Sequence, residues 1–571
     1  MSMLNGAPRE APLLAILHAI ASWDHSPIMR WIAFVTLVLL AFVCLVVLVD
    51  TNYLYVFEAD ASAHVAEARA FAEVPVTQLP VPGVYPPYFD GLNWIYAAGY
   101  LIAKLARTIG LLDAARFPTS ESLAIFAVRS VNLLAQVGSV ALVFLTVAKL
   151  GRSTLLALLL SLIFLFDPQL LGIDLLRVDR VILFLFILVF SFSLEVNHGR
   201  QQLLLDVALG VSAAALVMTK ITSVVFLVVP AFAYLQQRIV LKAPLRHVSA
   251  FLVSLAVASA LIAIRYLMLG WRDAGLLART LFDKLSMVVE WYAVMSREPY
   301  LYYNWDVFLP LGGTFMAIFL LALAGCFWGL VCRKSADAGL VLFPLAVLSL
   351  LGIPAFKYER GGYVLIPLYL YVIAYGVWVL RDELARVFPR GRMGLCILGI
   401  VIGAVLFFPL HHAWNAYQRT RLEFSARGES IRLTRIVPRE WFVKNVPATT
   451  RVAIFINSEW ADPPIFDLGY DFSPALLNFP YLDADKMGRF LPPAPDTLLQ
   501  IADVIVLNSF HRYTYTALMK KYGHDKVAVE WERFFDELYR RFPHLQFKAP
   551  SPNYGVDQVD IFVLNPSLLA R

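Results

Sequence analysis

Charge is scarce in this chain. Only 16% of its 571 residues are Asp, Glu, Lys or Arg, against roughly 25% in soluble domains. Hydrophobic residues make up 59% and the mean hydropathy is +0.67, which excludes a soluble globular protein and reads as a polytopic membrane protein. Cysteine is scarce too. Cys44, Cys326, Cys332 and Cys396 lie in or beside apolar runs without CxxC spacing, so neither a disulfide frame nor a cysteine zinc site follows. Internal repeats and low-complexity tracts are missing as well. A cleavable signal is not expected, because Trp31 to Val49 is too long for a signal core and no small-residue cleavage site follows it. The net charge of +6 is not a nucleic-acid footprint. Its Lys and Arg residues are scattered through short loops, where they set topology.

A helix needs about 20 apolar residues to cross the hydrocarbon. By that measure about eleven transmembrane helices are expected, over 31–50, 123–148, 153–170, 181–196, 203–219, 221–236, 248–270, 307–331, 338–355, 362–380 and 393–412. Only Lys220 and Thr222 separate the fifth from the sixth. Reading that pair as one long segment would flip everything downstream and put the Arg333 and Arg381 clusters outside. Eleven spans with the N-terminus cytoplasmic keep Lys149, Arg152, Arg200, Arg238, Lys242, Arg246, Arg333, Lys334 and Arg381 to Arg392 inside. The outer loops then collect Glu58, Asp60, Glu67, Glu73, Asp90, Asp167, Asp174 and Asp179, the separation the positive-inside rule requires.

The domain plan that follows has three parts: a cytoplasmic N-terminal segment (1–30), a transmembrane domain (31–413) and a C-terminal domain (414–571) outside. The first outer loop, 51–122, carries amphipathic helical spacing at 60–73 and 90–109, as surface-lying helices do. In the C-terminal part, β-rich runs at 451–456, 503–507 and 560–564 alternate with helical patterns at 437–446 and 529–542. That is a small α/β domain.

The candidate site is organised around the stretch from Glu58 to Tyr96. Asp60 stands just past the first span and opens a helix; Tyr85-Pro86-Pro87-Tyr88 follows about 25 residues on. A carboxylate there can cap its helix or be solvated. It can also act as a general base, which needs a carboxylate within hydrogen-bond reach of a hydroxyl, and a span end is a rigid mount. His64, one turn further on the same face, could join Asp60 as a metal ligand, with no third ligand evident nearby. Oxygen-rich Mg or Mn sites leave little mark on a sequence. Asp174, Arg177, Asp179 and Arg180 read either as an interfacial salt-bridge cluster or as a site in which Asp179 shapes an acceptor or metal pocket and Arg180 holds a phosphate. Lys357 and Arg360 sit in an outer loop against the positive-inside trend, and a bound anion explains that exception. Arg265 lies inside the apolar run 260–268; an embedded Arg is a functional hypothesis by default, and Lys220 is similar. Outer-leaflet cations, a buried Arg and a carboxylate at a span end suit an amphiphilic substrate with a phosphate at the membrane surface.

These features resemble the GT-C superfamily of polytopic glycosyltransferases, in particular the branch with protein O-mannosyltransferases and lipid A aminoarabinose transferases. The matching segments are Asp60-Ala-Ser-Ala-His64-Val-Ala-Glu67-Ala-Arg69, Tyr85-Pro86-Pro87-Tyr88, Trp94-Ile-Tyr96, Arg129, Asp179, Met218-Thr219-Lys220 and Lys357-Tyr358-Glu359-Arg360 through Pro367. The chain departs from the family pattern at Ala61, where a second acid is usual, at Tyr85 and at Gly361-Gly362. The resemblance implies an inner-membrane enzyme that moves a sugar from a polyprenyl-phosphate donor to a hydroxyl of a lipid, polysaccharide or protein at the outer face, with inversion. In that reading Asp60 is the base. Lys357, Arg360, Arg265 and Arg180 bind the donor phosphate, and His64, Tyr85, Tyr88, Asp179 and Tyr358 line the acceptor and sugar pocket. No cofactor is assigned, and a divalent metal (Mg or Mn) held by Asp60 and His64 stays open. The rival classes are a transporter or flippase of a lipid-linked anion, whose pseudo-symmetric halves are not seen here, and a non-catalytic scaffold.

Overall fold

The structure is a computed structural model describing residues 26–49, 59–75, 78–79, 90–113, 117, 119–167, 170–171, 179–198, 203–240, 244–282, 311–350, 365–387, 392–447 and most of 449–565. It divides into two compact units. The first joins Met1–Val49 to Val65–Thr420, and the second joins Asp50–His64 to Arg421–Arg571.

The α-helices from Pro27 to Ile431, in chain order, are α1 (Pro27–Val49), α2 (Ala59–Glu73), α3 (Asp90–Thr108), α4 (Ser120–Gly151), α5 (Thr154–Leu165), α6 (Asp179–Asn197) and α7 (Leu203–Thr219). They continue with α8 (Val228–Val240), α9 (Leu245–Ile262), α10 (Ile264–Arg272), α11 (Gly313–Val331), α12 (Ala336–Leu350), α13 (Leu365–Val387) and α14 (Arg392–Ile431). Each of the stretches read as a span carries one of these helices. Five of them, α1, α4, α9, α11 and α13, are long and apolar enough to cross a membrane, and α5, α7, α12 and the helical stretch 223–239 are shorter apolar helices. The chain is a membrane-embedded helical protein. α2 and α3 are present as separate helices of the first loop. α3 opens on Asp90 and buries Leu92, Tyr96, Ala97, Tyr100 and Ala103, one stripe at helical spacing.

Lipid supplies no hydrophobic drive between helices, so small residues decide where backbones approach. Gly376 on α13 is pressed so closely onto α11 that a Cβ there would lie 1.9 Å from the Ala322 carbonyl oxygen. Gly325 is pressed onto α13 in return, with the Gly376 carbonyl 2.5 Å from its would-be Cβ. At Gly210 of α7 a Cβ would meet the Ser254 hydroxyl of α9 at 1.9 Å.

The helix ends farther from α3 are tied by polar contacts. Lys149 pairs with Glu195 at 2.6 Å, Asn197 and His198 meet Asp337 at 3.0 and 2.8 Å, and Arg333 meets Asp382 and Glu383 at 2.8 and 2.5 Å. Asp206 accepts from the Tyr234 hydroxyl and faces His247 Nδ1, both at 2.6 Å. Of the cations expected in inner loops, Lys149 and Arg333 thus have carboxylates of neighbouring helices as partners.

The second unit holds a five-stranded sheet in the order β2-β1-β3-β5-β4, formed by β1 (Arg451–Ile454), β2 (Asp471–Phe472), β3 (Val504–Asn508), β4 (His544–Asn553) and β5 (Val556–Val563). β2, β1 and β3 run parallel, whereas β5 and β4 are antiparallel. Alternation along the strands builds two cores. Ala453, Ile505, Leu507 and Phe562 pack with Trp531, Phe534 and Phe535 of α16 (Asp525–Arg541), while Val452, Ile454, Val504, Val506 and Ile561 pack with Phe442 of α15 (Val437–Asn445). The three β-rich runs and both helical patterns expected there are present. β4 was not foreseen, since His544 to Asn553 mixes Lys, Pro and Ser into its pattern.

Gly376→Leu is expected to overpack the α11–α13 contact and lower stability by about 1–3 kcal/mol or more. Gly403→Ala, where nothing lies within 4 Å of the added Cβ, should be neutral or stabilising by about 0.5–1 kcal/mol. Thermal unfolding of the two purified variants in the same detergent checks the contrast.

Candidate functional site

Two helix breaks create the site. The first follows α7. Lys220 is extended (φ −148, ψ 124) and leads into a 3₁₀ turn over Ile221–Leu227, so the carbonyls of the α7 end lack their usual helical donors. The Thr219 hydroxyl donates back to the Ala215 carbonyl at 2.7 Å. The Met218 carbonyl group lies against Gly91 at the start of α3, where a Cβ would sit 2.7 Å from it; glycine is what lets the two elements meet. The second break is at Ala263, between α9 and α10 (φ −83, ψ 14). Its exposed Ile262 carbonyl accepts the Trp94 indole N–H of α3 at 3.2 Å. The run expected as one span over 248–270 is therefore two helices, and the second carries Arg265.

Arg265 is buried and paired. Its Nε donates to Asp90 Oδ2 at 3.0 Å and its Nη2 to Asp90 Oδ1 at 2.5 Å, a fork-to-fork contact with side chains 7% and 1% exposed. The guanidinium also stands 4.9 Å over the Phe71 ring, and Phe71 meets Trp94 edge to face at 5.2 Å. Asn93, one turn beyond Asp90, donates its amide to Glu67 of α2 and lies 3.5 Å from Asp90. Two carboxylates and one guanidinium are thus gathered from α2, α3 and α10. Burial, only partly offset by Arg265, pushes the Asp90 carboxyl up to about 6.

A second polar group lies along α3 and its neighbours. The Tyr96 hydroxyl is bonded to the Asn132 side-chain amide of α4, at 3.1 Å to Oδ1 and 2.9 Å from Nδ2. Burial first, and the charge of Asp179 further, hold the Tyr96 phenol above its ordinary value. Asp179, at the first turn of α6, faces Lys220 across 4.0 Å. Further out, Glu73 accepts from Tyr100 at 2.8 Å and from Lys104 at 3.0 Å. Those bonds hold its carboxyl below the usual range and tie α2 to α3.

The residues expected from sequence divide as follows. Arg265, Asp179 and Lys220 lie at or beside the two helix breaks. Arg180 is buried at 1% exposure, and its Nη2 donates to the Leu170 carbonyl at 3.3 Å. His64 is buried on α2. Asp60 stands in the first turn of α2, and its side chain lies outside the described residues, as do Tyr85, Tyr88, Lys357, Tyr358 and Arg360. Asp90 was missed as the partner of Arg265, and Glu67 and Asn93 as its neighbours. The available signal was that a cation inside an apolar run demands a counter-charge. Among the described residues no three His, Cys, Asp or Glu side chains gather as a metal would need. Those residues therefore do not by themselves supply a metal's ligand set.

A bundle of apolar helices with two separate first-loop helices and a C-terminal α/β unit makes a polytopic helical membrane fold. The chain is similar in structure to ArnT from Cupriavidus metallidurans in its apo state, with a TM-score of 0.52 over 95% of this chain and 99% of that one, at 12% identity. The Archaeoglobus fulgidus oligosaccharyltransferase, solved with Zn and sulfate, also matches, with a TM-score of 0.48 at 10% identity over 93% of this chain and 73% of that one. No family model and no curated protein sequence matches the chain.

Removing one partner of a buried ion pair leaves a charge uncompensated and costs about 3–5 kcal/mol. Asp90→Ala and Arg265→Ala should each lower stability on that scale, and the double variant should cost less than their sum. Because the folded Asp90 carboxyl is raised, its contribution is full below the ordinary carboxylate pKa and lost as pH rises through about 6. Asp90→Asn should therefore flatten the stability profile between about pH 4 and 7. Thermal unfolding across pH reads both effects.

Proposed function

We propose that this protein is a membrane glycosyltransferase that moves a sugar from a polyprenyl-phosphate donor to an acceptor hydroxyl at the outer face of the membrane, with inversion. The observation that carries the reading is a GT-C-type fold along almost the whole chain. A buried guanidinium and a Lys–Asp pair at its two helix breaks supply charges for such a substrate. Asp60, at the start of α2, is the general base that takes the acceptor proton. The oxygen so activated attacks the anomeric carbon in line, and the donor's phosphate leaves with the electron pair. Arg265 and Lys220, with Lys357 and Arg360, stabilise the growing negative charge. Fixed cations in a dry site act there without reorganising. Arg180 supports the same phosphate side, and Asp179, His64, Tyr85, Tyr88 and Tyr358 shape the acceptor and sugar pocket. The membrane is the plasma membrane, with the N-terminus cytoplasmic and the C-terminal domain outside.

The test is release of polyprenyl phosphate by purified protein given polyprenyl-phosphoryl sugars and hydroxyl acceptors. Asp60→Asn should lower turnover by about 10²–10⁴-fold while the protein stays folded and inserted, and Lys220→Ala should lower it with a smaller change in donor KM than in kcat. Full turnover in Asp60→Asn removes the base assignment. Movement of lipid across liposomes without bond cleavage would replace the enzyme reading by a transporter.

A further inference from the structure

We propose that binding of the lipid phosphate at Arg265 is coupled to protonation of Asp90, so that one proton is taken from solvent as the anion takes over the guanidinium. The inference rests on the polyprenyl-phosphate reading of the site. Arg265 commits Nε and Nη2 to the two oxygens of Asp90, so an arriving phosphate must share a single guanidinium with that carboxylate. Glu67 stands on the far side of Asn93 as a further acid. A phosphate and the Asp90 carboxylate sharing one buried guanidinium repel each other strongly, Glu67 adds to the repulsion felt by Asp90, and a proton on Asp90 is the cheapest relief.

Asp90 is the acid placed to take it. It is 1% exposed and touches the cation directly, and burial already lifts its carboxyl to about 6. Among the described residues, the other titratable or charged groups facing it are Arg265 and Tyr266 from α10 and Glu67 from α2. Lys220 and Asp179 follow behind the Met218 carbonyl that covers Gly91. Once Asp90 is neutral it can still hold Arg265 through a neutral oxygen, so the guanidinium keeps its direction while its charge passes to the phosphate. Asp90 is thus a positioning residue: it aims Arg265 and sets how much of that charge a ligand receives.

The experiment is calorimetric titration of the full-length protein with methyl undecaprenyl phosphate. This diester holds one negative charge throughout the working range and has no sugar to transfer. Run near pH 7 in two buffers of different ionisation enthalpy, wild-type protein should take up close to one proton per ligand bound. Its affinity should fall by about tenfold per pH unit above that point. Asp90→Asn should bind with no proton uptake and a flat pH profile, and Glu67→Gln should keep the uptake. Should Asp90→Asn fail to fold, the wild-type buffer pair decides alone. Binding without proton uptake, or unchanged uptake in a folded Asp90→Asn protein, overturns the coupling and leaves the donor reading standing. No binding at any pH removes both.

Discussion

A guanidinium cannot be left alone in a low-dielectric interior, and much of the first unit's polar architecture follows from that. Arg265 is placed there by the break at Ala263, which turns the chain out of α9 and into α10. The cost of removing the charge from water is met by Asp90, which is buried in turn and has its own neighbours in Asn93 and Glu67. Because these groups come from α2, α3 and α10, satisfying one cation fixes three helices relative to one another. The aromatic contacts of Phe71 and Trp94, and the indole bond to the Ile262 carbonyl, close the same junction with apolar surface and one more satisfied backbone group.

The two ends of the bundle solve different problems. At the end away from α3, cations meet carboxylates of neighbouring helices: Lys149 with Glu195, His198 with Asp337, Arg333 with Asp382 and Glu383. These contacts close helix ends and leave little charge over. At the α3 end the helices break instead of ending in paired loops, and among the described residues Asp90 shares Arg265 while Glu67 stands beyond Asn93. An irregular backbone inside a membrane protein persists only where protein or a cavity satisfies it, and here Trp94, Thr219 and the Gly91 contact do so.

Much of the fold was legible because it follows from solubility and period. Long apolar runs bounded by Lys and Arg predicted the helices, and the break at Lys220, marked by only two residues, is where α7 ends. Val452 and Ile454 against Ala453 show the alternation that identified β1. The kink at Ala263 was not legible, since the run through it is uniformly apolar and nothing in its composition tells a bent helix from a straight one. Nor was β4, whose Lys548, Pro550 and Ser551 argue locally against a strand that pairing with β5 nevertheless secures.

By itself the sequence determined the medium, the helices and the residues that water would otherwise claim: an Arg inside an apolar run, an acid past the first span, a Lys at a gap. These are local properties, set by transfer energies and by residue spacing. Which acid answers Arg265 was decided only in three dimensions. Asp90 lies 175 positions away in the chain, and nothing local distinguishes it from Glu67, Glu73 or Asp60. Its selection came from helix packing, chiefly the glycine contact of α3 on the end of α7 and the turn at Ala263. Charge pairing across a membrane protein depends on where whole helices settle, and that is a global sum no single stretch contains.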